Sequence, residues 1–124
     1  MLIKLFAILG GVFCMTSVML GAFAAHGLKK YLNEYALSIF KTASTYQMTH
    51  GLALIAIAIL IHFGVKVTMS GWFFIIGVLL FSGSLYFLAL TQASWLGPMT
   101  PIGGVFLILG WAMFIYGIAI HSFK

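Results

Sequence analysis

Apolar residues fill four long windows of this chain, residues 5–25, 46–63, 71–91 and 102–121, with polar residues gathered between them. A helix of about 20 apolar residues crosses a hydrocarbon core, so each window predicts one membrane span. Only helices and closed barrels satisfy their own backbone in lipid. A barrel would need alternating segments of about ten residues, and none is present. The pattern therefore predicts an all-α fold, a four-helix transmembrane bundle forming one integral membrane domain over residues 1–124. Lys4, the apolar run behind it and Ala22-Phe23-Ala24 also look like a cleavable signal peptide. The length of that run favours a retained first helix.

The connections are short except for residues 27–45. There Leu28, Tyr31, Leu32, Tyr35, Ile39 and Phe40 recur at helical spacing, while Lys29, Lys30, Asn33, Glu34, Ser38 and Lys41 fill the other face. That pattern predicts an amphipathic interfacial helix between the first and second spans, or a protruding extension of the second. Lys30 and Glu34 stand four apart, a helical pairing worth a few tenths of a kcal/mol. Trp72 falls at the depth of an interfacial aromatic anchor. Thr100 is a good N-cap and Pro101 a good first helical residue, so the fourth span is expected to start sharply there.

Small residues mark the packing faces. Gly10, Cys14, Ser17 and Gly21 form one thin face of the first span. Gly103, Gly110 and Gly117 repeat every seven residues in the fourth, which keeps one seam toward a partner helix. That partner lies either in the same chain or in another copy, so a homo-oligomer is one arrangement the seam allows. Ser82-Gly83-Ser84 and Tyr86 suggest close packing with interhelical hydrogen bonds in the third span.

Composition agrees with the pattern. Of 124 residues, 64% are hydrophobic and 6% charged, against roughly 25% charged in soluble domains. Glu34 is the only acidic residue, and all six basic residues are lysines, for a formal net charge of +5. This surplus is too scattered for nucleic acid; it suits membrane lipids as partners. Lys4, Lys66 and Lys124 on one side balance Lys29, Lys30 and Lys41 on the other, so the charge rule is tied. A lysine just before the first span favours cytoplasmic termini. Cys14 is the only cysteine, which excludes an intrachain disulfide.

Candidate chemistry gathers at one end. Gln47 and His50 stand three apart at the start of the second window, on one helical face, where lipid exposure would be costly. In an up-down-up-down bundle the first and third connections share a membrane face. His26, Gln47, His50, Ser82 or Ser84, and Thr100 all lie toward that face. His50 and Ser84 fall roughly 6 to 11 Å inside it at 1.5 Å per residue. They are expected to converge into one polar cluster, with Gln47 and His50 bonded to Ser82 or Ser84. The opposite end offers only His62 and His121, near water. No set of three or four ligands suits a metal, there is little room for haem, and no nucleophile, base and orienter occur together. Neither cofactor nor catalysis is expected.

Several stretches together resemble a known family: GAFAAHGL (21–28), FKTASTYQMTHGLAL (40–54), FSGSLYFLAL (81–90), LGPMTPIGG (96–104) and the later Gly110-Trp111. In that order they resemble the bacterial domain of unknown function 423 family, related to eukaryotic transmembrane protein 256. The likeness covers about residues 10–116, with Ala24 in place of a glycine. It implies a small four-helix protein of the bacterial inner or plasma membrane and no particular activity. Its motif singles out His26, Lys41, Tyr46, Gln47, His50, Ser82, Ser84, Thr100 and Pro101. The expectation is a membrane protein acting by interaction, or by lipid or small-solute binding at the polar end. The alternative is a homo-oligomeric channel or transporter for an ion or small solute, which would need water at that end.

Overall fold

A computed structural model describes residues 1–124. Its four helices are α1 (Leu2–His26), α2 (Glu34–His62), α3 (Thr68–Thr91) and α4 (Met99–Ile120). Each is long and apolar enough to cross a membrane, as the four windows required.

The segment before the second span takes the extended form rather than that of a separate surface helix. Leu28–Lys30 make only a 3-10 turn, and the helix that opens at Glu34 runs unbroken to His62. The local chemistry explains this. Asn33 caps the helix, its side-chain oxygen accepting the Ala36 N–H at 2.8 Å. Glu34 sits in the first turn, where the helix dipole favours a carboxylate. No glycine or proline interrupts residues 34–50. Lys30 belongs to the preceding turn, so the helical spacing expected to pair it with Glu34 does not exist. The start of α4 also differs from expectation: Pro98 occupies the cap position without a side-chain bond. The Thr100 hydroxyl instead reaches α3.

Helix α1 packs along α2 and α3 along α4, while α2 against α3 joins the two pairs. One buried cluster, including Phe6, Leu54, Ile57, Phe74 and Leu107, fills the end where the chain starts. A smaller one, with Ala24, Ala36, Phe40 and Ala89, fills the other. Ile8, Val18, Leu79, Ile108 and Ile115 point outward, as a hydrocarbon solvent permits.

The small residues set the helix separations. A Cβ on Gly10 would lie 2.7 Å from the Gly51 carbonyl oxygen, and one on Gly51 would lie 3.0 Å from that of Gly10. Bulk at either position would part α1 from α2. Gly21 on the same face of α1 faces the Ser44 hydroxyl. In α4, Gly103 abuts the Phe81 backbone, Gly110 the Phe74 ring and Gly117 the Lys66 carbonyl. The seven-residue seam thus meets α3, and the loop before it, within one chain.

Candidate functional site

Gln47 ties three helices together. Its side-chain nitrogen donates to the Phe13 carbonyl at 2.9 Å and to the Thr16 hydroxyl at 2.5 Å, both on α1. Its oxygen accepts the Tyr86 hydroxyl of α3 at 2.7 Å. Both amide N–H donors are therefore used, along with half the acceptor capacity. Phe40 packs edge-on against the Tyr86 ring at 4.8 Å and helps aim it.

His50, one helical turn on, is held by a different pair of contacts. The Trp111 indole of α4 donates to Nε2 at 3.0 Å, and Nδ1 lies 2.8 Å from the Tyr46 carbonyl. An indole N–H can only donate, so Nε2 is the acceptor and Nδ1 carries the proton. This assigns the neutral Nδ1–H tautomer and occupies both ring nitrogens. A double-mutant cycle of His50→Phe and Trp111→Phe should give a coupling of about 0.6–1.7 kcal/mol. Additive effects on unfolding in detergent would remove the bond.

The hydroxyls pair locally. Ser82 donates to the Ala43 carbonyl of α2 at 2.8 Å, and Ser84 meets Thr100 of α4 at 2.6 Å. Ser17 and Ser44 exchange bonds, each hydroxyl donating to the other's backbone carbonyl, at 2.5 and 3.0 Å.

These contacts do not make one cluster. Gln47 and His50 bond neither Ser82 nor Ser84, because the rotation of α2 turns Gln47 toward α1 and Tyr86, and His50 toward α4. His26 and Lys41 are exposed, Pro101 is exposed in the first turn of α4, and Thr100 is half-buried. Tyr46 is 42% exposed, its ring stacked on His50 and tilted on Phe81. Nor is the other end free of buried polarity, since Ser70 there is fully buried. Thr16, Ser44 and Trp111 are the partners sequence reasoning missed. For Trp111 a signal existed: an indole N–H twelve residues into a span needs an acceptor, and imidazole is a good one.

Between α1 and α3 lies a hollow of about 290 Å³ that includes Thr16, Gln47, Ser82 and Tyr86, with Leu20 and Leu79 among its apolar walls. Gly83 also lines it, and a Cβ there would meet nothing within 4 Å.

Comparison with known proteins places this arrangement in a family. The profile "Protein of unknown function (DUF423)" matches residues 20–104. A UPF0382 membrane protein of Staphylococcus aureus (strain bovine RF122 / ET3-1) is 49% identical over 113 residues, covering 90% of this chain and 93% of its own. One from Staphylococcus saprophyticus is 49% identical over 115 residues, with 92% and 96% covered. A third, from Staphylococcus haemolyticus, is 49% identical over 122 residues, with 98% and 97% covered. No solved structure matches. With four apolar helices and relatives alike from end to end, the chain is a membrane protein and belongs to the DUF423 family.

Proposed function

We propose that this protein binds a hydroxyl- or amine-bearing amphiphile from the bilayer in the α1–α3 hollow, and acts by that binding rather than by catalysis. The observation that carries the reading is the hydrogen-bond inventory of the hollow. The donors of Gln47, Thr16, Ser82 and Tyr86 are all committed to protein acceptors. Lone pairs remain on their oxygens. A group entering the hollow must therefore bring the donor, while its apolar part lies against Leu20 and Leu79. A hydroxyl in hydrocarbon has few other acceptors, which makes such a site selective. The non-catalytic side of the reading draws on His50, whose two nitrogens are already occupied.

The test uses monooleoylglycerol and an analogue with both glycerol hydroxyls acetylated, read by native mass spectrometry of the detergent-solubilised chain. The hydroxyl form should be retained about tenfold better. Gly83→Leu, whose Cβ has free space and whose longer side chain would occupy the hollow, should abolish the difference. Equal retention of the two lipids would sink the reading.

The same proposal puts the protein in the bacterial plasma membrane with both termini in the cytoplasm, on the strength of Lys4 before α1. A C-terminal reporter active only outside the cytoplasm would reverse that orientation.

A further inference from the structure

The opposite end of the bundle holds the one buried polar side-chain atom without a partner. The Ser70 hydroxyl is completely enclosed and has no hydrogen bond. A buried hydroxyl left unpaired costs roughly 1–3 kcal/mol unless something satisfies it. Ser70 lines a groove of about 420 Å³ at the start of α3, together with Lys66, Thr68 and Tyr116, and with Met113 and Ile120 among its apolar residues.

Two further features of that groove share one sign. Helix α3 begins at Thr68 with Val67 in the cap position, no side-chain cap bond and no acidic residue in its first turn. The backbone N–H groups of Thr68, Met69 and Ser70 make no bond to any acceptor in the chain. An uncapped helix start presents donors and a partial positive charge, which suits an anion. Lys66 stands beside it, exposed, and a smaller hollow sharing Lys66 and Ile120 adds His121 and Ser122. Glu34, the only acidic side chain, opens α2 at the far end. No acidic side chain competes here.

We infer that this groove binds an anionic phospholipid, its phosphate seated on the first turn of α3 between Lys66 and Ser70, its acyl chain lying along Met113 and Ile120. The phosphate accepts from the free N–H groups and, as the groove wall parts to admit it, from the Ser70 hydroxyl that the unliganded protein encloses. The Lys66 ammonium neutralises it. The apolar wall is what distinguishes a lipid from free phosphate. This site is separate from the α1–α3 hollow and stands without it.

The experiment is thermal unfolding of the full chain in detergent, with added dioleoylphosphatidylglycerol, dioleoylphosphatidylcholine or inorganic phosphate. Phosphatidylglycerol should raise the midpoint most and inorganic phosphate little. Ser70→Ala alone should be neutral or slightly stabilising without lipid, since it removes an orphaned hydroxyl. Its apparent affinity for phosphatidylglycerol should nonetheless fall about tenfold, and that of Lys66→Gln similarly. Unchanged affinity in both variants would overturn the site. Inorganic phosphate protecting as well as the lipid would overturn the lipid as ligand, and equal protection by phosphatidylcholine would overturn the anionic preference.

Discussion

Gly103→Leu is expected to lower stability by a large margin, more than the same change at Gly110. A Cβ at this position would sit against the Phe81 nitrogen and α-carbon and the Leu80 carbonyl carbon, all backbone. No side chain can swing aside to relieve the overlap, so α4 as a whole must move off α3. Overpacking of this kind costs about 1–3 kcal/mol where side chains can adjust, and more where they cannot. The same substitution at Gly11, where a Cβ meets nothing within 4 Å, should change little. The comparison is made by reversible unfolding in mixed micelles. If the two variants melt together, α3 and α4 are not in this contact. Gly110→Leu should fall between them, because the overlap there is with the Phe74 ring, which has some freedom to turn.

Gln47→Leu is the second change with a large expected effect. It removes three hydrogen bonds that join α2 to α1 and α3, and it leaves the Tyr86 hydroxyl in the bundle without its acceptor. Interhelical bonds in membranes average about 0.6 kcal/mol, with values to about 1.7. Three bonds and an orphaned donor therefore predict a loss of about 2–4 kcal/mol. Tyr86→Phe in the Gln47→Leu background should recover part of it, since the unpaired hydroxyl is then gone. Recovery is the informative outcome. Its absence would mean that Tyr86 finds another acceptor and that Gln47 is not the link between α1 and α3. The Ser17–Ser44 exchange, which also joins α1 to α2, should hold that pair together in either variant.

Much of the molecule was legible in the sequence because lipid imposes rules on single residues and local runs. Four apolar windows had to be helices, since no other structure closes its own hydrogen bonds in hydrocarbon. Gln47 and His50 had to face protein. Glu34, Asn33 and the unbroken stretch behind them carry the information that the polar segment continues into α2, but amphipathic spacing alone favours a separate surface helix, and only the cap geometry decides against it. The tertiary structure alone decided which polar groups meet. Hydroxyls and amides are many, their hydrogen bonds are short, and a rotation of α2 by a fraction of a turn exchanges one set of partners for another. That rotation is set where the backbones of α1 and α2 meet, with Gly51 packed on Gly10, Phe13 and Cys14 one turn beyond Gln47, and it cannot be read from Gln47 itself. It sends Gln47 to Thr16 and Tyr86, His50 to Trp111, and leaves Ser84 to Thr100, so a grouping by depth alone put residues at one level without making them neighbours. The unpaired hydroxyl of Ser70 is of the same kind: its residue type and place at the start of a span are in the sequence, but its lack of a partner follows only from how α3, α4 and the loop between α2 and α3 close around it.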